Sequence, residues 1–229
     1  MAFGHTQNIV AERVRTYEEQ LKEYKIGMTR AELLRALQHE KLEVRWLAAG
    51  KLSDDDAKEA IPDLKKALAA DKGWMNKINI GVALAWLGDA SGLAALRETC
   101  RSAEPKYLRI FAARYLIEKD DTTCFDALLE ILTKTDIDAK VGALGLLPRY
   151  KATHDYQQKS SKYIVAALAD KSGHVQKAAI SAVGSLGNEI AIPALEAAAN
   201  QESDEDMRAA LHAEIARLKT ANQAETPKQ

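Results

Sequence analysis

Aromatic side chains are scarce in this chain: Phe, Trp and Tyr make up 6% of its 229 residues, beside five prolines and two cysteines. That poverty argues against a β-sandwich or barrel, which draw on aromatic and β-branched residues and on turn-forming Pro. No run of apolar residues approaches the roughly 18 to 20 that a membrane span needs. The opening Met1-Ala-Phe-Gly-His5 lacks the basic-then-apolar layout of a signal peptide, so the expected location is the cytoplasm. Neither sign of charge dominates: 32 Lys and Arg face 33 Asp and Glu, a net charge of -1. The simplest case for nucleic acid, a strongly basic domain, is thereby absent. What is plentiful is alanine, 40 residues, together with Leu, Lys and Glu, the composition of closely packed helices.

Six segments share one template: an apolar residue, usually followed by a base, with apolar residues four and eight positions on. They begin at Val44, Asn76, Leu108, Ala139, Val175 and Met207, so the intervals are 32, 32, 31, 36 and 32 residues. Asn76 breaks the apolar rule and Gln176 breaks the basic one. Spacings of four and eight fall on one face of a helix, so each segment predicts an amphipathic helix. A second apolar helical pattern precedes each, as in Leu33-Leu34-Leu37 and Leu128-Leu129-Leu132. The unit is therefore a hairpin of a first and a second helix. Turn residues such as Ser53-Asp54-Asp55-Asp56, Gly88-Asp89 and Gly187-Asn188 separate them.

The segments EAIPDLKKALA (59–69), AIPALEAAA (191–199), VRWLAAGKL (44–52) and VQKAAISAVGSLGN (175–188) resemble HEAT repeats. More narrowly, they resemble the short HEAT-like units named after phycobilisome lyases. The resemblance covers about residues 29 to 219 and implies an all-α fold. That fold is a right-handed α-solenoid of six helical hairpins, with the second helices lining its concave side. It specifies a fold and not an activity.

Three stretches depart from the repeat. Residues 1–28 form an N-terminal segment in which Val10, Val14, Tyr17, Leu21 and Tyr24 make a heptad-like seam, predicting one long helix over 8–25. Two readings stand: a cap over the apolar flank of the first repeat in a monomer, and a dimerising helix; the cap is preferred. The 36-residue interval predicts that Pro148 ends a second helix and that residues 150–162 form a longer connection. From Thr220 to Gln229 the chain is polar and reads as a frayed tail.

Catalytic constellations are lacking. Cys100 closes one first helix and Cys124 opens the next; successive first helices run parallel, so the thiols lie at opposite ends and no bridge is expected. The five histidines show no metal-ligand spacing with Cys or with one another. His39-Glu40 resembles one His-Glu pair of the HEAT-like deoxyhypusine hydroxylases. The matching places hold Asp71-Lys72, Ala103-Glu104 and Asp170-Lys171, so that iron site is not built. There is no G-x-S-x-G elbow and no phosphate loop. Neither a metal nor a cofactor is expected.

The base after each template start (Arg45, Lys77, Arg109, Lys140, Arg208) has two readings: a binding stripe along the groove, or a structural ladder to loop acids and carbonyls, with Asp71 and Asp170 as partners. Off the core face lie Trp46, Trp86, Arg114 and Arg149, the last followed by Tyr150. Trp, Tyr and Arg commonly anchor protein interfaces. The expected function is a non-enzymatic scaffold that binds a protein or peptide through Arg45, Trp46, Trp86, Arg114, Arg149 and Tyr150. The alternatives are a nucleic-acid-binding protein like the HEAT-like DNA glycosylases, disfavoured by the charge, and a lyase-like subunit of an enzyme complex.

Overall fold

A computed structural model describes residues 16–70, 73–134, 136–150 and 154–224. Among them no strand occurs. In chain order the helices are α1 (Tyr17–Glu23), α2 (Arg30–Ala36), α3 (Leu42–Asp54), α4 (Ile61–Ala70), α5 (Trp74–Trp86), α6 (Ala90–Ser102), α7 (Leu108–Ile117), α8 (Phe125–Leu132), α9 (Ile137–Leu146), α10 (His154–Ala166), α11 (Gly173–Val183), α12 (Asn188–Gln201) and α13 (Glu205–Ala224). The odd-numbered helices from α3 onward carry the template and are the second helices. Every template position is sealed: Val44, Ala48 and Leu52 are 0% exposed, as are Val175, Ala179 and Val183, and Asn76 is buried among its apolar counterparts. The fold is of the α-solenoid class, and its helices fall into two compact units, residues 1–95 and 96–229.

In the first unit, α1 and α2 begin alike. Thr16 and Thr29 each accept a hydrogen bond from the backbone N–H three residues on, and Glu19 and Glu32 return the bond to the cap. These capping boxes satisfy amides that a helix start otherwise leaves open. Tyr17, Leu21 and Tyr24 lie in the same core as α2 and α3, with Leu21 fully buried. Within the chain, α1 therefore packs on the first repeat. It is shorter than the seam predicts, because Thr16 is extended and starts the helix at Tyr17; Val10 and Val14 lie outside the described residues. At the far end of α5, Gly88 has φ +84°. Its N–H reaches Ala85 O while Asp89 N–H reaches Leu84 O, which closes the helix and turns the chain into α6.

In the second unit, the second helices α7, α9, α11 and α13 pack in sequence, with α8, α10 and α12 against them. Three expectations are corrected here. The predicted connection over 150–162 is largely helix, since α10 begins at His154. Tyr156, Ser160 and Ile164 recur every four residues on its inner side and no Gly or Pro interrupts it. The polar tail is helical as far as Ala224, because Leu211, Ile215 and Leu218 continue the apolar face of α13.

Cys100 and Cys124, finally, are joined as a disulfide with Cα atoms 5.1 Å apart. In-register stacking would pair residues about one repeat apart, 31 residues here. The observed contacts Arg97–Asp121, Cys100–Cys124 and Lys106–Glu130 each span 24. Lys65 and Asp89 in the first unit span 24 as well, so the offset is shared by neighbouring first helices and is not special to α8. The start of α8 then lies beside the last turn of α6.

Candidate functional site: the outward face of the second helices

Three bases of the column, Arg45, Arg109 and Lys140, are tied to loop carbonyls or acids. Arg45 Nη1 donates to the carbonyls of His39 (2.9 Å) and Glu40 (3.2 Å). Arg109, 8% exposed, donates from Nε to Ala103 O at 3.1 Å and from Nη2 to Glu104 Oε1 at 3.3 Å. Lys140 Nζ reaches Asp170 Oδ2 of the next repeat at 2.6 Å. Gln176, where the base is missing, keeps the pattern by donating to Leu168 O at 3.3 Å and Glu202 Oε2 at 3.5 Å. Lys77 lies over the Trp74 ring, 4.7 Å from its centroid; Asp71 lies outside the described residues. Arg45, expected in the binding set, is half-buried and spends its guanidinium on loop carbonyls.

A parallel set of rungs links the turns that precede the first helices. Lys65 meets Asp89 at 3.5 Å and Arg97 meets Asp121 at 2.6 Å. Each acid also accepts the N–H two residues on, from Ser91, Thr123 or Ser172. The signal for these turns is the recurring Asp-x-Ser/Thr before a helix. Burial alone would raise the carboxyls of Asp121 and Asp170. Hydrogen bonds from Thr123 and Arg97, and from Lys140 and Ser172, outweigh it and hold both below the ordinary range.

A depressed native carboxylate contributes stability that is fully present above its unfolded pKa, about 3.9 for Asp. That contribution is lost as pH falls through the lower native value. Melting midpoints measured from pH 7 to 2 should therefore stay level down to about pH 5 and then fall. The Asp121→Asn and Asp170→Asn variants should show a shallower acid limb.

The remaining predicted anchors separate into two groups. Trp46 is half-buried and meets the Tyr17 ring edge-to-face at 6.3 Å, so α1 covers it. Tyr150, expected at the surface, is 5% exposed and packs edge-to-face on Phe125 at 5.2 Å, beside Tyr156. Its hydroxyl is buried without a partner, and burial first, then Asp121 and Tyr156, push its pKa up. Tyr150 thus serves a core, while Trp46 is part-covered by α1. Trp86, 70% exposed at the end of α5, is accessible on the first unit, while Arg114 and Arg149 are exposed on the second.

On the second unit these positions form rows. Three residues past the template start stand Phe111, Gly142 and Ala178; six past, Arg114, Gly145 and Ser181; ten past, Glu118, Arg149 and Ser185. Arg149 Nη2 meets Glu118 Oε1 at 4.0 Å, so corresponding positions of α7 and α9 are neighbours. In the first two rows large groups occupy α7 and small ones α9 and α11. A Cβ on Gly142 would press on the end of the Ile110 side chain at 2.9 Å, whereas a Cβ on Gly145 would meet nothing within 4 Å. Between α9 and α11 this leaves an open groove of about 420 Å³ lined by Val141, Gly145, Pro148, Arg149, Ser181 and Ser185. Phe111 and Tyr107, each 41% exposed and in edge contact at 6.4 Å, stand beside Arg114 on α7. Sequence reading missed Phe111, although its phase one turn before Arg114 marks the same stripe.

Among the described residues no cluster of three or more His, Cys, Asp or Glu side chains could hold a metal ion, and no helix is long and apolar enough to cross a membrane. The family that matches the chain is HEAT repeats, over residues 30–117 and 125–215. Among solved structures the chain is similar to an engineered protein from a structural genomics consortium, at 18% identity and a TM-score of 0.48. That alignment covers 82% of this chain and 96% of the other. It is also similar to YibA of Escherichia coli, at 14% identity and a TM-score of 0.48, covering 90% and 99%. No curated protein matches.

Proposed function

The chain belongs to the HEAT-repeat family, and on that premise we propose that it is a non-enzymatic binding module whose outward second-helix face receives a segment of a protein partner. The observation that carries this reading is the pairing of an exposed aromatic and basic ledge on α7, Phe111 and Arg114, with the small-residue groove between α9 and α11. A groove floored by Gly and Ser lets a partner's backbone approach closely, and the ledge supplies the kinds of side chain that concentrate binding energy. The ladder leaves these residues free for that task, because the fold's own electrostatics run through Arg109, Lys140 and Gln176.

The test is capture of partners from nuclease-treated source lysate by wild type, by Arg114→Glu and by Gly145→Leu. Loss of an interface anchor should weaken retention about 10- to 30-fold. A Cβ at Gly145 meets nothing within 4 Å, so Gly145→Leu should fill the groove with its melting midpoint held or raised. A partner that both variants retain as well as wild type does would refute the reading. Loss of the partner on nuclease treatment alone would transfer the face to nucleic acid.

A further inference from the structure

Cys100 and Cys124 are the only two cysteines of the chain, and both are consumed in one bridge between the last turn of α6 and the N-cap of α8. Their Cα separation of 5.1 Å lies inside the range that disulfides accept. Both residues are sealed, at 1% and 0% exposure. The ion pairs Arg97–Asp121 and Lys106–Glu130 flank the bridge at the same 24-residue offset. The register that brings the sulfurs together is therefore maintained by non-covalent contacts on either side. A regulatory cysteine pair needs a sulfur within reach of solvent and of an attacking thiolate. This pair offers neither.

We propose that the Cys100–Cys124 bridge is a permanent staple, closed during folding by thiol–disulfide exchange, and that the chain matures in an oxidising compartment. One cysteine, as thiolate, attacks a sulfur of an external disulfide, either a small molecule or a dithiol oxidoreductase, and expels one thiolate. The second cysteine then attacks the protein sulfur of that mixed disulfide and expels the other. Two protein thiols are oxidised and lose two protons, and the external disulfide is reduced to two thiols. Because the docked helices close over both sulfurs, this exchange precedes the seating of α8 on α6. Buried bridges of this kind persist where the surroundings are oxidising and are rare where glutathione keeps thiols reduced. The proposal replaces the cytoplasmic expectation drawn from the N-terminus.

Three measurements test it. Protein quenched in acid directly from its source cells and alkylated in denaturant should carry no label at Cys100 or Cys124 until a reductant is added. Labelled thiols in the directly quenched sample would overturn the proposal, whatever the stability data. Reduction should lower the melting midpoint by on the order of 5 to 15 °C. The Cys100→Ala/Cys124→Ala variant should match the reduced protein and ignore reductant; an unchanged midpoint after reduction would refute the staple. Finally, unfolded reduced chain should form the bridge with oxidised glutathione at least 10-fold faster than folded reduced chain, and equal rates would overturn closure before docking.

Discussion

Replacing Gly92 with valine should lower the melting midpoint by on the order of 10 °C, corresponding to a loss of about 3 kcal/mol or more. Gly92 lies in the first turns of α6, where a side chain would ordinarily help: alanine is favoured over glycine by about 1 kcal/mol in a helix. Here a Cβ would be driven into the carbonyl oxygen of Gly81 and the backbone nitrogen of Ala85 in α5. Those are main-chain atoms of a packed helix and cannot rotate away, so the clash outweighs the propensity gain. Gly92→Ala should already be destabilising, while Gly145→Ala, whose added carbon meets open space, should be stabilising. Urea denaturation of the three variants side by side measures the contrast. A Gly92→Val protein as stable as wild type would show that α5 and α6 do not approach this closely.

Arg109→Ala should cost about 2 to 4 kcal/mol, far more than any exposed base of the same column. The guanidinium is buried and forked, with Ala103 O on one arm, Glu104 on another and Glu130 at 3.5 Å from Nη1. Truncation leaves a loop carbonyl without its donor and removes the apolar stem that seals the turn. Arg109→Lys should recover only part of the loss, because an ammonium cannot serve the diverging acceptors with one planar group. Chemical denaturation midpoints decide between a ladder and a binding stripe. A stripe residue would leave the midpoint in place and alter only retention of a partner.

The periodic part of this fold is legible from residue types alone. The positions spaced by four and eight are buried wherever the template places them, because burial of one helix face is what generates that spacing. Less visible is whatever depends on how one hairpin is offset against the next. The 24-residue offset between neighbouring first helices leaves no mark on the periodicity, and it is this offset that unites Cys100 with Cys124. Trp46 has an outward phase in its own helix, yet α1 lies over it, so its exposure is decided by a segment outside the repeat. Tyr150 follows a proline that reads as a helix end. The short Leu147–Arg149 turn instead carries the chain inward, and Phe125 and Tyr156 enclose the ring. Of the predicted anchors, Trp86, Arg114 and Arg149 are exposed among the described residues.

The rungs also bear on how the molecule forms. Among the described residues, the side-chain hydrogen bonds and ion pairs that tie one hairpin to the next close loops of at most 34 residues, the longest being Tyr156 to Thr122. The entropy of closing such loops differs little from rung to rung, since it grows only with the logarithm of length. No long-range pairing has to be found before short-range ones begin to stabilise the chain. Within each unit, folding can start at whichever hairpin closes first and spread to its neighbours, each new hairpin meeting a preformed acid or base. Such local topology places the chain among the fast folders, and loss of structure should advance inward from the ends.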